Sequence, residues 1–197
     1  MEHIISIILN SIIVLVMLIV IVSLFRRDGK WAWKNILMPL RYFTFLSNVL
    51  CALAALLMIF FPEVYPIWLI KYAGTAAVTV TMVTVLVFLG PTIGYKRVLE
   101  GRDFWLHVVN PVLAIVSFAV FERRELSVVN ALWGMLPVIL YGVLYAYMVL
   151  FAPEGKKWED VYGFNKGGRW YVAVILMLAG TAVICAAFWT LFFFLGK

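Results

Sequence analysis

The chain has 197 residues, of which 65% are apolar and 13% charged, and its mean hydropathy is +1.04. A soluble domain carries about 45–50% apolar and about 25% charged residues, so a water-soluble globule is excluded, and the abundance of apolar side chains excludes disorder. The net charge of +6 is gathered at the ends of apolar segments, which points to membrane orientation and anionic lipid headgroups rather than to nucleic acid.

Stretches of about 20 apolar residues, each long enough to cross a ~30 Å hydrocarbon core, recur six times. The predicted spans cover residues 4–25, 42–61, 70–89, 104–121, 128–151 and 170–195. The first has no basic leader and no small-residue cleavage site, and its cations Arg26, Arg27 and Lys30 follow the apolar run; it is expected to be a retained helix. Spans two and three stop at Phe61-Pro62 and Gly90-Pro91, span four at Glu122-Arg123-Arg124-Glu125, and span five at Ala152-Pro153-Glu154-Gly155. The expected fold is a single all-α domain over residues 1–197, a polytopic bundle of six transmembrane helices with no room for a soluble domain.

Twelve of the 16 Lys and Arg fall in the loops 26–41, 90–103 and 152–169; the other four are Lys71, Arg123, Arg124 and Lys197. The excess of positive charge on cytoplasmic loops then places those three loops inside and both termini outside, in what is expected to be a bacterial plasma membrane. Trp31, Trp33, Trp158, Tyr162 and Trp170 fall at that cytoplasmic edge, where amphipathic rings prefer to sit. Cys51 and Cys185 lie within apolar segments and suggest neither a metal nor a redox site. No cofactor is expected, and the oligomeric state is not legible.

Ionisable side chains within spans are functional hypotheses by default. No Asp, Glu, Lys or Arg is expected well inside any span, and His107 is the one embedded imidazole. Thr44 lies two residues into span two and His107 three into span four. Both spans start on the same side, so the hydroxyl and imidazole lie at nearly equal depth at 1.5 Å per residue. On neighbouring helices they would form an activated oxygen nucleophile. Ser47 and Asn48 follow Thr44 on one helical face, and Asn110 follows His107; these are the candidates for positioning substrate or an oxyanion. Pro111 cannot donate to the carbonyl of His107, which must find another partner. Asp103, one turn before His107, either orients the ring or faces water. Tyr141 and Tyr145 share a face of span five and are candidate pocket lining or helix-packing residues. A lone membrane Thr otherwise bonds its own helix, and membrane Asn serves as interhelical glue, so spacing alone leaves both roles open.

Three motifs, Arg41-Tyr42-Phe43-Thr44-Phe45-Leu46-Ser47-Asn48, then His107-Val108-Val109-Asn110-Pro111, then Trp158 through Asn165 (WEDVYGFN), resemble in order and spacing those of the androgen-induced protein family. The resemblance covers about residues 40–190, and the last motif departs from the proline-containing pattern of many relatives. It implies a six-helix integral-membrane threonine hydrolase that cleaves fatty acid esters of hydroxy fatty acids, with the essential Thr falling on Thr44 and the essential His on His107. The alternative is a non-enzymatic lipid-binding or transport protein, although internal repeats and broken midplane helices are lacking in the sequence.

Overall fold

The computed structural model describes residues 1–27, 30–31 and 38–195. Six helices long and apolar enough to cross a membrane run antiparallel in turn: α1 (Glu2–Phe25), α2 (Phe43–Phe60), α3 (Tyr65–Ile93), α4 (Arg102–Phe121), α5 (Val128–Phe151) and α6 (Trp170–Leu195). The protein is an all-α transmembrane bundle. The only departure among the described residues is a two-residue antiparallel pairing of β1 (Arg26–Arg27) with β2 (Lys30–Trp31). Trp33, Lys34 and Lys197 lie outside the described residues.

Local chemistry sets the helix ends. Phe61 precedes Pro62 and leaves the helical region at φ −133°, as the clash with a following proline ring requires. Pro66 occupies the first turn of α3, where its missing N–H is no loss. α3 therefore begins at Tyr65, five residues before the expected start at 70. It also passes the expected stop at Gly90-Pro91, because the N–H of Gly90 reaches back to Val85 through a π turn over Thr84–Leu89. The helix stops only at Gly94, whose φ of 95° breaks the right-handed path. At α5, Ser127 accepts from the N–H of Asn130 at 3.2 Å and caps the first turn.

α3 is the central helix and touches every other element of the bundle, while α2 packs most heavily on α3 and on α1. Gly74 makes the α2–α3 approach possible: a Cβ there would lie 3.0 Å from Cys51 Cα, and backbone cannot yield as a side chain can. In α2, α3 and α4 44% of the spanning window is buried, against 17% in α5 and α6. The tight core thus lies among the first four helices, and the α3–α5–α6 side is loosely filled. The loops 90–103 and 152–169 lie where α1 finishes and α2 starts: Arg102 Nη1 donates to Ser23 O at 3.0 Å, and Tyr162 Oη accepts from the N–H of Phe43.

The opposite end corrects one expectation. Lys71 and Glu122 are both buried, at 0% and 7% exposure, so ionisable side chains do lie inside the bundle. The earlier start of α3 puts Lys71 nearly two turns inside the helix, about 9 Å from its first residue at 1.5 Å per residue. Its Nζ donates to Asn10 Oδ1 at 2.6 Å, and Asn10 Nδ2 donates to Glu122 Oε1 at 2.5 Å. Ser6 and Ser117 hydroxyls donate to the same oxygen at 2.8 and 2.7 Å. Asn10 thereby bridges a lysine on α3 to a glutamate at the end of α4. Removing one member of such a buried network costs about 3–5 kcal/mol, because its partners stay behind without compensation. Asn10→Leu is expected to lower stability by roughly that amount, read as a fall in the unfolding midpoint of the detergent-solubilised protein; an unchanged midpoint contradicts the bridging role.

Candidate active site

Thr44 is the second residue of α2, and His107 the sixth of α4. The structure brings them together, with His107 Nε2 3.3 Å from Thr44 Oγ1. His107 is buried at 8% exposure. Its other nitrogen, Nδ1, lies 2.6 Å from the backbone carbonyl oxygen of Val98, at the end of the short helical turn Tyr95–Val98. A carbonyl oxygen only accepts, so Nδ1 carries the proton when the ring is neutral. The Nε2 lone pair then faces the Thr44 hydroxyl. Asp103 is exposed, and the orienting partner is the Val98 carbonyl in its place.

The backbone around His107 departs from the α pattern. Residues Trp105–Val109 form a π turn in which the N–H of Asn110 reaches back to Trp105 O. In this wider register residue 111 stands opposite the carbonyl of Leu106, not that of His107 as α geometry predicts. Pro111 has no N–H to offer, and the open Leu106 carbonyl is taken by Asn48 Nδ2 at 3.1 Å. A side chain on α2 thus completes the hydrogen bonding of α4 one residue from the imidazole, and such π bulges concentrate at functional sites.

The other polar candidates are fasteners. Asn48 Nδ2 gives its second proton to Thr44 O at 2.7 Å, and Asn48 Oδ1 accepts from Asn110 Nδ2 at 2.6 Å. Ser47 Oγ lies 3.1 Å from Thr44 O and 2.9 Å from Thr81 Oγ1. Ser47, Asn48 and Asn110 are buried at 2% exposure or less. They hold α2 to α3 and α4 and fix where Thr44 stands against His107.

The third motif supplies what the sequence reading placed only at the membrane edge. Its loop folds around Asp160, whose Oδ1 accepts from the N–H of Phe164 and Oδ2 from that of Asn165, both at 2.7 Å. Oδ1 also accepts from the Tyr145 hydroxyl at 3.2 Å, tying the loop to α5. Tyr162 is thereby laid over the start of α2. Its Oη accepts from the N–H of Phe43 at 3.1 Å, and burial pushes its phenol above the ordinary tyrosine range. Tyr162 stays a neutral hydroxyl over any ordinary pH. Tyr141 donates to Arg41 O at 2.8 Å and stacks on Tyr145 with ring centroids 5.6 Å apart.

Beside this cluster lies a hollow of about 910 Å³, within the size range of ligand sites, between α3, α5, α6 and the 152–169 loop. Tyr141 and Tyr145 line it, as do Phe43 and Tyr162 at the end nearest Thr44. Thr44 and His107 stand one residue behind that wall. Lys166 and Arg169 flank the mouth, and apolar side chains continue to Ile184, about 22 Å farther along α6 at 1.5 Å per residue. Val87 and Leu176, 71% and 68% exposed, leave the hollow open sideways to the bilayer.

Asn48→Leu removes the amide that serves the Leu106 carbonyl and is expected to cost about 1–3 kcal/mol of stability through that buried, unsatisfied acceptor. Chemical unfolding in detergent measures it; a neutral outcome contradicts the fastening role. No family model, curated protein or solved structure matches this chain.

Proposed function

We propose that the protein is an intramembrane lipid ester hydrolase with Thr44 as nucleophile and His107 as general base. The observation that carries the reading is the fixed tautomer: Val98 O holds the proton on Nδ1, and Nε2 faces the Thr44 hydroxyl at 3.3 Å. That distance is slightly long, as catalytic hydrogen bonds often are without substrate. The order of the three motifs, similar to that of the androgen-induced protein family, supports the same assignment.

In this scheme Thr44 Oγ1 forms a bond to the ester carbonyl carbon while its proton passes to His107 Nε2 and the carbonyl electron pair moves onto oxygen. Collapse of the tetrahedral intermediate breaks the bond to the alcohol oxygen, and His107 returns the proton to that leaving group. A water then gives its proton to Nε2, its oxygen bonds to the acyl carbon, and the acid is released as Thr44 recovers its proton. The apolar hollow suits the acyl chain. Lys166 and Arg169 at its mouth suit a substrate with a free carboxylate, such as a fatty acid ester of a hydroxy fatty acid. The surplus of Lys and Arg on loops 26–41, 90–103 and 152–169 supports a cytoplasmic site in a bacterial plasma membrane, with both termini outside.

One observation favours a second reading, lipid binding or transport without hydrolysis: the hollow is walled by Phe43 and Tyr162, with Thr44 behind them. Release of free acid from a branched fatty-acid ester by the purified protein separates the two. Wild-type protein is expected to turn over, and Thr44→Ala and His107→Ala are each expected to abolish turnover while eluting and melting as the parent does. Full turnover by Thr44→Ala overturns the catalytic assignment.

A further inference from the structure

The ester-hydrolase scheme needs a hydrogen-bond donor for the charge that develops on the carbonyl oxygen, and the amides expected to supply it are used to fasten helices. Asn48 has given both amide protons to backbone carbonyls, and Asn110 faces Asn48. The hydroxyl of Tyr162 is placed differently. It stands at the start of α2, against the backbone one residue before Thr44, and its ring forms part of the wall of the hollow. The Phe43 N–H fills one lone pair of Oη from behind at 3.1 Å. Tyr141 directs its own proton to Arg41 O, so the Tyr162 proton is the one left to point forward.

We propose that Tyr162 is a catalytic residue, its Oη–H donating to the carbonyl oxygen of the ester as that oxygen becomes an oxyanion. The assignment rests on the ester-hydrolase reading and adds to it the electrophilic member of the site. Before substrate binds, Thr44 donates to His107 Nε2, and His107 Nδ1–H donates to Val98 O. When an ester enters from the hollow, its carbonyl reaches the end walled by Phe43 and Tyr162, with Thr44 one residue behind Phe43. Attack by Thr44 Oγ1 places the new negative charge beside Oη. The Tyr162 proton is shared with that oxygen and stays on Tyr162 when the intermediate collapses, so no proton is gained or lost by this residue over a turnover. Donation from the Phe43 N–H to Oη stabilises electron density on the phenol oxygen, which strengthens its O–H as a donor. Burial pushes the phenol above the ordinary tyrosine range, so the donor keeps its proton at neutral pH.

Tyr162→Phe preserves the ring and the wall and removes only the donor. Loss of one oxyanion donor lowers kcat by about 10²–10³-fold, with KM changed little because the ground-state carbonyl is weakly held. A residue that only shaped the hollow would raise KM and leave kcat in place. A second variant carries 3-fluorotyrosine at 162, which has the same shape and a more acidic hydroxyl. The alkaline limb of its kcat profile is expected to move to lower pH than in the wild type, because the neutral donor is lost sooner. Wild-type turnover with an unchanged kcat in Tyr162→Phe overturns this assignment and leaves Thr44 and His107 standing. Absence of turnover in the wild type across ester substrates overturns the hydrolase reading and this assignment with it.

Discussion

The hydrogen bond between His107 Nδ1 and the carbonyl of Val98 decides what the rest of the site is able to do. The carbonyl has no proton to give, so the ring presents its basic nitrogen to Thr44. In soluble enzymes of this type a carboxylate commonly holds the imidazole. A buried carboxylate in lipid carries a desolvation cost of several kcal/mol, and a backbone carbonyl does the orienting without that charge. The short turn Tyr95–Val98, held between Gly94 at φ 95° and Gly101 at φ 61°, brings that carbonyl to the ring. Glycine is what such left-handed backbone admits without strain.

The same scarcity of partners in the bilayer shapes the other polar groups. No water is present in the hydrocarbon to satisfy an open donor or acceptor, and at both ends of the bundle buried side chains close bonds across helices. At the site end, Pro111 and the π turn open a carbonyl, and Asn48 closes it. At the far end, Asn10 closes the gap between Lys71 and Glu122. One network joins α2, α3 and α4 at the site end, and the other joins α1, α3 and α4 at the far end. The α3–α5–α6 side, with far less buried surface, is left to hold the hollow. The more buried half thus carries Thr44 and His107, and the less buried half carries the apolar hollow.

The sequence made the six spans legible because apolar runs of this length have few other physical outcomes. The pairing of Thr44 with His107 was legible too, since two helices entering from the same side bring equal depths together. Other features were hidden for identifiable reasons. The Val98 carbonyl has no side-chain signature. The α3 start at Tyr65 depends on how Pro66 sits in a first turn, and missing it left Lys71 at the edge of its expected span. The shift from the His107 to the Leu106 carbonyl follows from one extra residue in a turn, which spacing rules based on 3.6 residues cannot register. Tyr162 was visible as an aromatic at the membrane edge, but only the folding of the loop around Asp160 carries its hydroxyl to the start of α2.

The central claim is that Thr44 forms a covalent bond to the acyl group. Intact-protein and peptide mass spectrometry after rapid acid quenching of the purified wild type with a slow ester tests it most directly. The account predicts an added acyl mass that maps to the peptide containing Thr44, appears within the first turnover and vanishes on longer incubation. Steady release of acid with no such adduct on Thr44, or with the adduct on another residue, contradicts it.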